Sequence, residues 1–383
     1  RLDAVVVGAG VFGAWTALKL QEAGQRVLLI DAWGPAHARA SSGGESRMTR
    51  GAYGADRVYT RMALDSLDDW RALSARSGLP IFHEHGVLFF FPRAEPFLEE
   101  TMLVHRSMNL PTELLDSAAL RQRFSQIDFT GIEAGLFEPG FGALMARRAV
   151  GTLVAEFVAA GGLYRQAQVR PPASSWSSLS EIAVSDTEIY RAEQFVFACG
   201  PWLGRMFPDL LASRIFPTRQ EVFFFAPPPG DPRFGPEHLP GWADFNAGDM
   251  YYGFPDLESR GFKIAHDAHG PPIDPDTGDR TPSPEALADV RAFMARRFPA
   301  LTDRPLNEAR VCQYENSSNG DLLIDWHPRW GNVLLVGAGS GHGFKHGPAV
   351  GHYAADLVLG RPFTVEPRFS LATKGEVAAR AVH

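Results

Sequence analysis

The chain has 383 residues, 45% of them hydrophobic and 21% charged, with a formal net charge of −7. That is the balance of a soluble globular protein of about two domains, and its acidic sign argues against general nucleic-acid binding, which needs a basic face. Two cysteines, Cys199 and Cys312, make no disulfide framework, and no apolar run reaches the roughly 18 residues of a membrane span, so a cytoplasmic protein in a reducing compartment is expected. The first strand begins almost at once, which leaves no room for a signal peptide, and Ala381-Val382-His383 is not a peroxisomal tripeptide.

Residues 4–7, Ala-Val-Val-Val, are an apolar run without alternation, as in a strand buried on both faces. Gly8, Gly10 and Gly13 follow at G-x-G-x-x-G spacing, then a helical run that Gly24 stops, then a second apolar strand ending at Asp31. In this order the parts make a dinucleotide-binding βαβ unit. The first glycine permits a tight turn, the second lets the backbone approach a pyrophosphate, and the third lets the helix pack on the strand. Amides at the helix start, Val11 and Phe12, face the phosphates. Asp31, 23 residues past Gly8, stands where an acid accepts hydrogen bonds from a ribose hydroxyl pair. The unit does not distinguish FAD from NAD.

Residues 33–50 are rich in glycine and serine and read as a loop long enough to wrap a ligand. Arg47 and Arg50 in it could share a helix face, point into a site for carboxylate or phosphate, or lie solvated on the surface. Helices are predicted at 57–78, 96–109, 117–124, 146–160, 284–298 and 346–359. Strands are predicted at 86–92, 163–169, 194–198 and 221–226, with a hairpin from 250–255 and 262–266. The turn-rich segment up to Pro240 and the stretch 271–284 read as loops. Residues 333–336 enter a second glycine turn, Gly337 to Lys345, and a helix follows. Apolar strands alternating with helices at both ends, around a strand-rich middle, indicate one nucleotide domain built from distant segments with a second domain inserted into it.

Several side chains carry chemistry only conditionally. Lys263, in an apolar strand, is either an edge lysine or a buried cation kept for catalysis. Cys312, from its neighbours alone, reads as a buried thiol. His342 and His346 have the spacing of a helical zinc pair but lack the accompanying glutamate, and His83 and His85 lack a third ligand, so no metal site is predicted. The second glycine turn puts amides, His342 and Lys345 at a helix mouth, fit for an anion or the electron-rich edge of a flavin. No G-x-S-x-G and no Walker sequence is present.

Taken together, the N-terminal fingerprint, Ser41-Ser42-Gly43-Gly44-Glu45-Ser46-Arg47-Met48-Thr49-Arg50 with Ala52-Tyr53, Tyr251-Tyr252-Gly253-Phe254-Pro255, Lys263, Val311-Cys312-Gln313-Tyr314, Leu323-Ile324-Asp325 with His327-Pro328, and Gly341-His342-Gly343-Phe344-Lys345 resemble the monomeric sarcosine oxidase, N-methyltryptophan oxidase and pipecolate oxidase family. These are flavin amine oxidases of the D-amino-acid oxidase superfamily, and the likeness runs nearly the whole chain. Amadori-product oxidases share several of the motifs. The resemblance implies an α/β fold: a Rossmann-like FAD-binding domain (1–85, 140–215 and 320–383) and a discontinuous, antiparallel-sheet α+β substrate domain (86–139 and 216–319). It implies FAD rather than NAD, carried on Cys312 through an 8α-thioether, with Ser41, Ser42, Gly43, Val169, Gly339, Gly341, Gly343 and Phe344 beside the cofactor. Lys263 would promote reaction of reduced flavin with oxygen, Arg50 and Lys345 would clamp a substrate carboxylate, Arg47 would lie near the flavin ring, and Tyr252 and Tyr314 would line the pocket.

The implied activity is oxidation of a secondary amine of an amino acid by hydride transfer to flavin. The imine is then hydrolysed and oxygen becomes hydrogen peroxide, in a monomer without nucleic-acid or membrane partners. At two positions the chain departs from the sarcosine oxidases, which carry histidine where Gly43 and Asp267 stand. Gly43 bears on flavin attachment and redox tuning. Asp267 would add negative charge near the amine or reshape the pocket. The competing expectations are an oxidase of a larger amine, imine or Amadori-type substrate, and a flavin-binding electron-transfer subunit of a complex.

Overall fold

The computed structural model describes residues 1–246, 249–268 and 270–376; the tripeptide 381–383 lies outside them. Two large sheets organise the chain. The first has the order Leu323–Trp326, Val333–Gly337, Ile189–Phe197, Leu2–Val7, Val27–Asp31, Leu163–Gln166. Its inner four pairings are parallel, from Val333–Gly337 across to Leu163–Gln166, and Leu323–Trp326 closes one edge antiparallel. Both faces are covered, as parallel strands require. Val6, Leu29, Val196 and Leu334 point into one apolar core, and Val5, Ile30, Phe195 and Leu335 into another.

The Val11–Glu22 helix follows the first strand because Gly8 takes φ of +104°, where a Cβ would lie 2.1 Å from the Ala198 carbonyl oxygen. The helix is apolar nearly all round. Across it lies the Gly347–Val358 helix, brought close by two glycines: a Cβ on Gly347 would meet Val11 Cγ2 at 2.6 Å, and one on Gly351 would meet Trp15 Cβ at 2.7 Å. The long helix Arg57–Ser77 starts at Asp56, whose carboxylate accepts from the Val58 amide, and ends at Gly78 with φ of 66°.

The second sheet runs Leu306–Ser317, Ile215–Phe225, Phe262–Asp267, Asp249–Phe254, Gly241–Asn246, Val87–Phe91, Ala134–Glu138, Glu113–Asp116. All its pairings are antiparallel except that between Gly241–Asn246 and Val87–Phe91. Successive side chains along its strands point to opposite faces. Leu88, Phe90, Phe223, Phe225, Trp242, Phe262 and Ile264 form one face, packed under the Pro284–Arg297 helix on Phe293 and Met294. On the other face Val87, Phe89, Phe91 and Leu136 pack on Ala63, Leu67 and Leu98, and the remainder opens on a cleft. A three-stranded sheet of Ser46–Met48, Ala143–Met145 and Phe82–His83 accompanies the two.

The expected helices are all present, within two residues at each end. Arg47 and Arg50 share no helix: Arg47 lies in the Ser46–Met48 strand, paired with Ala143–Met145, because Ser46 and Met48 find open backbone partners there. Strands Glu113–Asp116, Ala134–Glu138, Glu181–Ala183 and Gly241–Asn246 carry little hydrophobic alternation and were not anticipated; their neighbours in the sheets decide them.

Gly13 has no room for a side chain, since a Cβ would stand 1.7 Å from the Gly8 carbonyl oxygen. Gly13→Ala is expected to cost about 1–3 kcal/mol of stability as overpacking, read from denaturation midpoints. An unchanged midpoint would contradict this close approach.

Candidate functional site

The cleft opens where the uncovered part of the second sheet meets the glycine turns of the first. Alternation supplies one wall. Cys312 is paired with Gln220, Tyr314 with Thr218, Met250 with Asp267, Tyr252 with both Ala265 and Ala243, and Ala243 with Phe89. Residues paired in register share a face, so Cys312, Tyr314, Gln220, Val222, Tyr252, Asp267 and Ala243 all line the cleft. Lys263 lies on the same face, between its partners Phe224 and Phe254. Its Nζ sits 5.9 Å and 5.2 Å from their ring centres.

The opposite wall is the nucleotide unit. Gly8, Gly10, Val11, Phe12, Asp31, Ser41, Ser42, Val169, Gly339, Gly341, Gly343 and Phe344 line it. Gly10 begins the helix in open space, where a Cβ would meet only Ser42 Oγ, at 3.4 Å. Ser42 Oγ accepts from the Val11 amide at 3.1 Å. Asp31 ties the turn together: its Oδ2 accepts from Ala9 N at 2.8 Å, and its Oδ1 accepts from the Trp33 and Gly34 amides at 2.9 Å each. The second glycine turn is strained, with Ala338 at φ 58° and Ser340 at φ 49°. Such backbone costs of order 1–3 kcal/mol per residue. It is held because the Ser340 amide donates to the Glu315 carbonyl at 2.8 Å and Ser340 Oγ accepts from Ser317 N at 3.2 Å.

Two positions expected beside a cofactor stand behind these walls. Gly13 is buried against Gly8, and Gly43 packs on the Ala36–Ala40 turn, where a Cβ would lie 1.9 Å from the His37 carbonyl oxygen. A histidine cannot replace Gly43 without moving that turn.

The cations gather between the walls. The Arg47 guanidinium donates to the Ser46 carbonyl at 2.8 Å and the Ser41 carbonyl at 2.5 Å, and reaches Cys312 Sγ at 3.6 Å. Lys263 is buried one layer behind, donating to Ser46 O at 3.0 Å and Ser46 Oγ at 3.1 Å. Burial first, then the Arg47 charge, lower its pKa to about 7. Lys345 is buried too and donates to the His342 carbonyl at 2.6 Å; burial and the Arg50 charge hold it well below the ordinary lysine range. Arg50 donates to the Ala52 carbonyl and stacks 3.9 Å over the Tyr53 ring. Tyr252 is hydrogen-bonded to Tyr314, and burial followed by the Asp267 charge pushes its phenol up to about 12.

Several site residues carried no assigned role in the sequence. Glu138 is fully buried; its Oε2 accepts from Gly51 N at 2.7 Å, and burial pushes its carboxyl up to about 7. Glu315 is pushed up to about 7 by burial as well. Asp276, in the loop 271–284, accepts from Trp202 Nε1 at 2.7 Å and pairs with Arg205, so this loop reaches back over the cleft to the first sheet. No spacing pattern announces such a contact. His342 and His346 both hydrogen-bond the Tyr53 hydroxyl, while His83 meets Glu258 at 3.3 Å.

A dinucleotide cradle joined to a basic, tyrosine-lined chamber is the architecture of a flavin-dependent oxidoreductase. The chain belongs to the FAD dependent oxidoreductase family, whose sequence profile matches residues 3–357. It is 31% identical over 364 residues to monomeric sarcosine oxidase of a Bacillus species, covering 94% of this chain and 92% of that protein. It is 32% identical over 384 residues to N-methyl-L-tryptophan oxidase of Citrobacter koseri, covering 97% of each. Its fold superposes on L-proline dehydrogenase from P. horikoshii with a TM-score of 0.84, at 19% identity and 97% coverage of both chains. The protein is thus an FAD-dependent enzyme, and the cleft fits that cofactor. Gly10 leaves space at the helix start, and the Ser41 Oγ and Glu315 Oε1 atoms on the cleft wall are buried without a partner among the described residues, so they await hydrogen bonds from a polar ligand.

Lys263 makes stability depend on pH in a definite sense. An unfolded lysine titrates near 10.5 and this one near 7. Between those values the unfolded chain binds a proton that the folded chain does not, so stability rises with pH across the window. Lys263→Met removes the buried charge. The variant is expected to be about 1–4 kcal/mol more stable than the wild type at pH 6, with the advantage fading toward pH 10. Thermal melts at both pH values check this; an advantage independent of pH would refute it.

Proposed function

We propose that this enzyme oxidises a secondary amine of an amino acid, of the N-methyl or pipecolate-like kind, with oxygen as final acceptor. One observation carries the reading: Cys312, Tyr252 and Asp267, on the sheet face that also carries the buried Lys263, line one cleft with Arg50, Lys345 and the glycine turns. In this reading the first sheet and its helices (1–85, 140–215 and 320–383) hold FAD, and the second (86–139 and 216–319) holds the amine.

Bound FAD supplies the oxidising power, taking two electrons with a hydrogen from the C–H bond beside the amine nitrogen and releasing them to oxygen as hydrogen peroxide. Every other task falls to side chains. Arg50 and Lys345 grip the substrate carboxylate and thereby fix the position of the reacting C–H bond. The paired phenols of Tyr252 and Tyr314 wall the amine. Lys263 presents a buried cation where negative charge develops as oxygen is reduced. Arg47 reaches to 3.6 Å from Cys312 Sγ, the sulfur that would tether FAD through a thioether. Asp267 gives the chamber a negative wall. That supports a substrate bulkier or more cationic than sarcosine, and with it the second reading, an Amadori-type or biosynthetic amine.

Precipitation with acid tests the tether. Yellow colour and flavin fluorescence should stay with the wild-type pellet and pass to the supernatant in Cys312→Ser; colour free in both would remove the thioether. Rapid mixing tests the oxygen site. Lys263→Met should keep anaerobic flavin reduction within about tenfold of the wild type and slow reoxidation by about 10²-fold or more. Near-normal reoxidation would defeat that role. Peroxide release across N-methyl amino acids, pipecolate, proline and fructosyl amino acids assigns the substrate. A bound flavin that none of these amines reduces would favour an electron-transfer subunit.

A further inference from the structure

We infer that Tyr53 is the positioning residue of the substrate site: its ring seats the Arg50 and Lys345 cations, and two histidines lock the ring in place. The inference rests on the carboxylate-clamp reading above and adds to it what holds the clamp in place.

Tyr53 is 6% exposed. Arg50 lies over its ring with the guanidinium carbon 3.9 Å from the ring centre, and Lys345 Nζ stands 5.1 Å from it. Both distances are within cation–π range. Two like charges would otherwise repel across a dry cleft. One electron-rich ring attracts both and so offsets that repulsion.

The hydroxyl is fixed from behind. It is hydrogen-bonded to His342 Nδ1 at 2.9 Å and to His346 Nε2 at 3.0 Å. His342 Nε2 in turn donates to the Gly320 carbonyl at 2.9 Å. Burial and the neighbouring Lys345 charge hold His346 well below the ordinary histidine range. The same His342 offers its own carbonyl to Lys345. Clamp and lock thus share one residue, and the ring of Tyr59, stacked 5.2 Å away, backs the assembly.

The test uses the FAD-loaded enzyme and acetate as probe, its affinity read from perturbation of the visible flavin spectrum. Replacing Tyr53 by phenylalanine and then by ring-fluorinated phenylalanines keeps the shape while draining the negative face. The acetate dissociation constant should rise stepwise with fluorination, reaching about tenfold or more. KM for the amine substrate should follow it, while kcat stays within about threefold. Tyr53→Leu should show the full loss at once. If Leu does not fold, the fluorination series still decides the question, because its members match in volume. A flat series overturns the inference. Arg50→Ala run beside it separates the two failures. If Arg50→Ala weakens acetate and the series stays flat, only the role of Tyr53 fails. If Arg50→Ala leaves acetate binding intact, the clamp itself is wrong.

Discussion

The structure turns on how it keeps positive charge out of water. Moving an ammonium from water into a protein interior costs several kcal/mol even after relaxation. Yet Lys263 and Lys345 are both about 3% exposed. Among the described residues neither is matched with a carboxylate at bonding distance: Lys263 donates to Ser46, Lys345 to the His342 carbonyl, and each lies against aromatic rings. Neutral acceptors lower the cost of burial only in part, and burial therefore lowers both titrations, that of Lys263 to about 7. In the function proposed above, a substrate carboxylate or reduced oxygen would answer the protonated forms. Glu138, whose charge bears on Lys345, fits the same logic, since burial pushes its own titration up to about 7 and so blunts its ability to neutralise that lysine.

That arrangement needs two differently built sheets. The parallel sheet is buried on both faces and can only present ligand-binding groups at strand ends, which is where Gly8, Asp31 and the Gly337–Lys345 turn sit. The mostly antiparallel sheet has one apolar face under the Pro284–Arg297 helix and divides its other face between a smaller apolar core and the cleft. Alternation then decides function directly: moving Phe262–Asp267 by one residue would turn Lys263 and Asp267 into the apolar core and bring Ile264 to the cofactor side.

The sequence was most readable where local geometry is dictated locally. The fingerprint from Gly8 to Asp31 and the helix closed by Gly78 need only spacing and φ constraints, and both stand as expected. Cys312, Lys263 and Lys345 were legible through family motifs, and period two explains why the first two share a face. What could not be read were contacts that join distant segments: the Glu138 carboxylate under Gly51, the Asp276 side chain reaching Trp202, and the tyrosine hydroxyl between His342 and His346. Each pairs residues dozens to hundreds of positions apart, and no propensity encodes such a pairing. The constraint on Gly43 was not legible either: the His37 carbonyl occupies the space a side chain there would need.

The pairing of Ile189–Phe197 with Val333–Gly337, and of the Val11–Glu22 helix with the Gly347–Val358 helix, has a consequence for biosynthesis. The first βαβ unit is translated about 300 residues ahead of the strand and helix that finish its sheet and cover its helix. At roughly 5–20 residues per second, the nascent chain spends some tens of seconds with Trp15 and the apolar flank of its third parallel strand uncovered. Through that interval, chaperone capture or early cofactor association would compete with aggregation, and a ribosome that stalled before residue 347 would release a chain unable to complete its own nucleotide fold.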